Sequence, residues 1–327
     1  MKFAFPGGPK PTDDDFRFMH QLGVDRTYVR IMPDTPDDTV EGLQTIVARY
    51  ADGGVVVDNI RNMTATSMLD DILLATPLRE SKTEAFKAWL RKVHAAGLTY
   101  TIALASPGFV LSSGFAQLRG GVQAREVDLS KPLRRGLPQN PGVVVSDECP
   151  VGERPYTHNE VFGNFVTFLR EIEPVVEETG VRVGFHPDDP PIPEAGRAAR
   201  IFSTEDDIRT AFHAAKSDKI GLTICCGTWL EGIGDPVDAI HEYVPTGRVW
   251  EVHFRNVTAT LPRFSETFPD EGYYDMFRIM EALVATNYSG SINFDHELPI
   301  VGGSRAYAAY AQGYMKALLA QAQRAQS

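Results

Sequence analysis

The sequence predicts an α/β fold, a (β/α)8 TIM barrel forming a single domain over residues 1–327, with a long insertion after the fourth strand at 106–154. Three observations carry this. Eight β-type runs alternate with segments of helical period along the whole chain, which predicts a parallel sheet, and eight such units favour a closed barrel over an open one. The length of 327 residues fits the ~250 typical of such a barrel plus insertions. Each of the last four strands ends on a residue type that binds metals: His186, Cys225, His253 and Asp295.

The elements follow in order. Lys2–Phe5 is a short strand, and Thr12–Asp15 supplies cap oxygens and first-turn carboxylates for a helix reaching about Gly23. Arg26–Met32 reads as the second strand and Asp37–Tyr50 as the second helix, with Val40, Leu43, Ile46 and Val47 on one face. Gly54–Ile60 is the third strand; after a loop containing Asn62–Thr66, Glu80–Ala96 carries Phe86, Leu90 and Val93 at helical spacing. Leu98–Ala105 is the fourth strand. The stretch from Ser106 to Arg154 is rich in Gly, Pro, Ser and Arg with weak periodicity, far longer than ordinary connections of ~4–6 residues, and reads as a lid or an oligomer arm.

Beyond it the rhythm is regular. Asn159–Thr179 is a helix closed by Gly180, and Val181–His186 a strand that Pro187, Pro190 and Pro191 stop, since proline lacks the N–H a ladder needs. Ser203–Asp206 has the capping-box pattern of a helix start reaching about Lys216. Ile220–Cys225, Arg248–Phe254 and Gly290–Phe294 are strands; Pro236–Tyr243, Asp275–Thr286 and Ser304–Gln321 are helices. No GxGxxG follows the first strand and no GxxxxGK[ST] occurs, so a nucleotide-binding fold has no support.

Composition narrows the function. With 43 Asp+Glu against 32 Lys+Arg, a formal charge of -11 argues against nucleic-acid or anionic-membrane partners, which need clustered Lys and Arg. The N-terminus breaks into Pro6-Gly7-Gly8 before a signal-peptide apolar region forms, and no ~18-residue apolar run follows. Three cysteines, Cys149, Cys225 and Cys226, are poor material for a disulfide framework, so thiols in the reducing cytoplasm are expected.

At the C-terminal face of a barrel, consecutive strand ends converge on one mouth. His186, Cys225, His253 and Asp295 would there offer two imidazoles, a thiolate and a carboxylate to a divalent metal. The thiolate suits Zn(II) or Fe(II), the oxygen ligands Mn(II) or Mg(II), and ligand type alone does not choose. Only one of the adjacent Cys225 and Cys226 points inward, by the strand period of two. His296 is the leading acid/base candidate, either above the metal or packed outside, with Glu266 a weaker one. Asp188 and Asp189 either serve the site, in catalysis or on substrate hydroxyls, or only cap the turn. Arg255 and Asn256 suit a substrate carboxylate and hydroxyl, guanidinium binding carboxylate through two N–H groups. His20, His94, His213 and His241 fall within helices and read as surface or packing residues.

At these residues the sequence resembles the D-mannonate dehydratases, metal-dependent barrels of the xylose-isomerase-like kind. The stretches are HPDDPP at 186–191, FSTEDD at 202–207, GLTICCG at 221–227, VHFRNV at 252–257, FSE at 264–266, Asp275-Met276 and Asp295-His296. The resemblance covers residues 160–320. It implies that His186, Cys225, His253 and Asp295 hold a divalent metal, commonly Mn(II), that His296 moves a proton, that D-mannonate is dehydrated to 2-keto-3-deoxy-D-gluconate, and that the chain forms a homo-oligomer. The first half departs from the family pattern: Phe3-Ala-Phe-Pro-Gly7 replaces Arg-Trp-Tyr-Gly, and Ala103-Leu-Ala-Ser-Pro107 replaces Tyr-Asn before Phe-Met-Pro. Arg30 and Arg61, near the ends of strands two and three, are then the residues that would supply carboxylate contacts. The competing enzyme reading is a sugar isomerase or epimerase on the same metal.

Overall fold

A computed structural model describes residues 1–62, 69–136 and 154–326. Eight parallel strands form the barrel. β1 comes in two pieces, Lys2–Phe3 and Phe5–Gly7; β2 is Arg26–Ile31, β3 Val56–Asn62, β4 Tyr100–Leu104, β5 Arg182–His186, β6 Ile220–Cys225, β7 Val249–His253 and β8 Ser291–Asn293. The first piece of β1 pairs with β8 and the second with β2, so this strand joins a six-stranded and a three-stranded sheet. β3 and β4 lie side by side in separate hydrogen-bonded sheets, which leaves a seam there.

Eight helices follow the strands: α1 Asp13–Gln21, α2 Val40–Asp52, α3 Arg79–Ala95, α4 His158–Thr179, α5 Glu205–Ala214, α6 Pro236–Tyr243, α7 Met276–Ala285 and α8 Gly303–Ala325. Their starts are fixed locally. Thr12 and Thr157 make reciprocal capping boxes with Asp15 and Glu160, and Thr204, Asp235 and Asp275 each cap with a side-chain oxygen. The predicted apolar faces are the buried ones. Phe165, Phe168, Leu169 and Ile172 of α4 and Met276, Ile279, Met280 and Leu283 of α7 pack on the outward strand residues Val183, Phe185, Ile224 and Ile292 in one continuous core. None of the helices of the described residues is long and apolar enough to cross a membrane.

The stretch after β4 departs from the irregular segment the sequence suggests. Leu111–Ser112 pairs with Arg134–Arg135, and Gly114–Gln117 forms a hairpin with Gln123–Asp128. Arg263–Ser265, from the loop after β7, adds the hairpin's third strand. Local periodicity does not reveal these strands because they are short and one partner lies 137 residues away, as the Arg263–Glu126 contact shows. Residues 137–153, including Cys149, and the Met63–Met68 part of the loop after β3 lie outside the described residues.

Candidate metal centre and active site

The inward positions of the strands carry polar side chains, and at the C-terminal end they converge. One donor atom each from His186, Cys225 and His253 lies within 4.8 Å of the others, all buried. The period of two settles the cysteine pair: Cys225 faces this cluster, while Cys226 belongs to the apolar core, where burial pushes its thiol well above the usual range.

Both imidazoles are oriented from behind. His186 Nδ1 lies 2.7 Å from the Pro187 carbonyl, so it carries the proton and leaves Nε2 as the lone-pair donor. His253 Nε2 lies 3.0 Å from Glu251 Oε1, and its buried Nδ1 makes no hydrogen bond of good geometry but lies 3.3 Å from Asp295 Oδ1. A buried imidazole nitrogen held among a thiol, a second imidazole and a carboxylate fits a metal ligand, because those donor types together suit a divalent ion. Glu251 is held in turn by Asn59 at 3.2 Å, Asn293 at 2.9 Å and the Arg61 guanidinium. Burial works to raise its pKa, but Arg61 and His253 outweigh it and hold the carboxyl at about 2.

Asp295 stands beside the cluster. Its Oδ1 is 3.3 Å from His253 Nδ1, and its Oδ2 is 3.6 Å from Cys225 Sγ and 2.9 Å from Arg255 Nε. Its backbone is left-handed, at φ 61°, a conformation Asp tolerates better than most residues. This kink breaks the alternation of β8. His296, which alternation would turn away from Asp295, instead lies in the mouth, its Nε2 3.6 Å from Asp295 Oδ1 and its Nδ1 2.7 Å from Glu266 Oε1.

Above these residues lies a buried ion network. Arg255 gives Nε to Asp295, Nη1 to Glu231 at 2.6 Å and Nη2 to Asp189 at 3.0 Å. A Cβ at Gly227 would overlap its guanidinium, so only glycine admits it there. Arg125, delivered by the insertion hairpin and fully buried, bonds Asp189, Glu266 at 3.0 Å and Glu231 at 3.4 Å. Burial would raise the Asp189 carboxyl, but Arg125 and Arg255 hold it well below the usual range. Glu231 responds oppositely: burial and then Asp189 push it up to about 8 despite both arginines. Its Oε2 has no partner.

Two predicted site residues are engaged with the backbone. Asp188 accepts the Phe202 N–H at 2.7 Å, and its own N–H bonds the Phe202 carbonyl. Asn256 donates to the Tyr274 carbonyl at 2.9 Å and accepts from Val257 N–H, closed in by Gly272. Sequence reasoning missed Arg125, Glu231 and Glu251. Counting back two from His253 reaches Glu251, so the period of two was a usable signal. Glu231 sits in a wide helical turn, Trp229–Ile233, and Arg125 in the long insertion, where no local signal points to them.

The fold and the site together define a parallel eight-stranded barrel with clustered His, Cys and His donors, able to hold a metal, at its C-terminal mouth. Solved structures agree on the fold. The mannonate dehydratase of Streptococcus suis serotype 2 superposes with a TM-score of 0.81 at 22% identity, covering 100% of this chain and 96% of that one. A xylose isomerase domain protein from Alicyclobacillus acidocaldarius does so with a TM-score of 0.65 at 14% identity, covering 99% of each. The family model for D-mannonate dehydratase (UxuA) matches residues 154–322, and the chain belongs to that family. The mannonate dehydratase of Lactococcus lactis subsp. lactis (strain IL1403) is 26% identical over 288 residues, 77% of each chain. These relatives favour a carbon–oxygen lyase over the isomerase alternative.

Proposed function

We propose that the chain is a metal-dependent hydro-lyase that removes water from a sugar acid, with D-mannonate as substrate and 2-keto-3-deoxy-D-gluconate as product. The observation that carries the reading is the placement of the His296–Glu266 pair against the His186–Cys225–His253 donor cluster, in a family named for this reaction. His186, Cys225 and His253, with Asp295, would hold the ion, and Mn(II) is the metal we expect. Bound there, a divalent cation stabilises the negative charge that develops when the proton next to the carboxylate leaves.

The rest is done by protein groups. Dehydration takes the proton from C2 and the hydroxyl from C3; the resulting enol becomes the 2-keto acid. His296 lies in the mouth and moves a proton at Nε2, because Glu266 accepts from Nδ1 and fixes the tautomer. Asp189, clamped between two guanidinium groups, stays ionised as an acceptor for a substrate hydroxyl. Arg255, Asn256 and Asp188 brace the loops that carry these groups. We infer a cytoplasmic homo-oligomer, a state that light scattering would measure. The single-domain reading includes the insertion as a wall of the site, since its hairpin seats Arg125.

The test is incubation of Mn(II)-loaded protein with D-mannonate and a panel of aldonates and ketoses, following 2-keto-3-deoxy acid. Product from mannonate is expected. No product from any aldonate, at one metal per chain, would sink the dehydratase reading.

A further inference from the structure

A sugar acid brings a carboxylate into the mouth, where a cationic side chain beside the metal site would select it over a neutral sugar. The arginines around the metal cluster are committed elsewhere. Arg255 and Arg125 are spent on Asp189, Glu231, Glu266 and Asp295. Arg200 bonds the carbonyls of Pro107, Phe109 and Pro190, Arg135 pairs with Asp70, and Arg61 pairs with Glu251. Residues 63–68 and 137–153 contain no lysine or arginine, so no cation is hidden there.

Arg30 is different. It is the penultimate residue of β2, in register with Arg61 of β3, at the end of the barrel where the donors lie. It is partly exposed and, among the described residues, enters no ion pair; its guanidinium lies 5.7 Å from the centre of the Tyr28 ring. Tyr28, two residues earlier on the same inward face, is buried with an unpartnered hydroxyl. Arg61 covers the same ring at 4.0 Å, and its Nη2 lies 3.3 Å from His253 Nε2, which ties this patch to the metal cluster.

We propose that Arg30 and the Tyr28 hydroxyl form the seat for the substrate carboxylate, with Arg61 lending charge from behind, so that this wall selects sugar acids over neutral sugars. The inference rests on the dehydratase reading and names the residue that gives it its substrate class. At 5.7 Å from the Tyr28 ring centre the Arg30 guanidinium lies within cation–π range and keeps its N–H groups for a two-pronged bond to a carboxylate.

The experiment compares wild type, Arg30→Gln and Arg30→Lys, each Mn(II)-loaded, with D-mannonate in turnover and D-gluconate and D-mannitol in titration calorimetry. Because Arg30 is partly exposed and enters no ion pair among the described residues, the variants should melt with wild type. Arg30→Gln is expected to raise KM for the aldonate about 10- to 100-fold with kcat within about threefold, and Arg30→Lys to lie between, as for loss of one charge-assisted contact. Gluconate binding should weaken by a similar factor, and mannitol binding should not change. A wild type active on mannonate with KM unmoved in Arg30→Gln overturns the inference and leaves the dehydratase reading standing. A wild type inactive on every aldonate overturns the dehydratase reading; the calorimetry then decides on Arg30 alone, and equal gluconate affinity in wild type and Arg30→Gln overturns the seat.

Discussion

His296 Nδ1 lies 2.7 Å from Glu266 Oε1, although 30 residues separate them. This contact fixes which imidazole nitrogen faces the mouth. Replacing His296 with Ala should lower kcat about 10²–10⁴-fold, the usual weight of a positioned proton carrier, while metal content by atomic absorption stays at the wild-type level. Glu266→Gln should slow the reaction about 10-fold or more, since the amide no longer holds the proton on Nδ1 and the tautomer is no longer fixed. An unchanged kcat in Glu266→Gln would leave Glu266 with a packing role only.

Glu251 holds His253 from behind, and outer partners of ligating histidines typically contribute 10–100-fold in metal affinity. Glu251→Gln should therefore weaken metal binding about 10- to 100-fold in a competition assay against a chelating dye. Wild-type affinity in this variant would remove Glu251 from the metal site's support.

Arg125 lies fully buried among Asp189, Glu231 and Glu266. Removing one partner of such a network leaves uncompensated charge, a cost of ~3–5 kcal/mol, whereas exposed pairs contribute ~0–1. Arg125→Leu should lower the urea midpoint accordingly, and loss of the exposed Arg209–Glu242 pair should scarcely move it. Equal midpoints for the two variants would show that the hairpin is not anchored through Arg125.

Glu231 makes stability depend on pH. Its carboxyl is pushed from 4.5 up to about 8, by burial first and by Asp189 next. Between these values the folded protein keeps a proton that the unfolded chain has released, so the Glu231 contribution to stability is fully present below the unfolded value and is lost as pH rises through about 8. In Glu231→Gln the carbonyl oxygen can still accept from Arg255, but the titration is gone. The drop in Tm from pH 6 to pH 8.5 should be smaller in the variant than in wild type. An identical drop would assign the pH dependence to other groups.

The barrel and the floor of the candidate site were legible in the chain alone. Alternating strand and helix patterns, threonine and aspartate caps, and prolines after His186 are local signals, read from neighbours in the chain. His186, Cys225 and His253 were legible because a parallel barrel sends every strand end to one mouth, so position along a strand is already position in space. Tertiary structure alone decided the wall above them. Arg125 meets Asp189 across 64 residues and Glu231 across 106, and Arg61 meets Glu251 across 190. It also decided that Arg255, which the sequence offered to a substrate, is occupied by four carboxylates, while Arg30 enters no ion pair among the described residues. Charge pairing depends on which groups share a volume, and for residues on loops and on distant strands no periodicity carries that information.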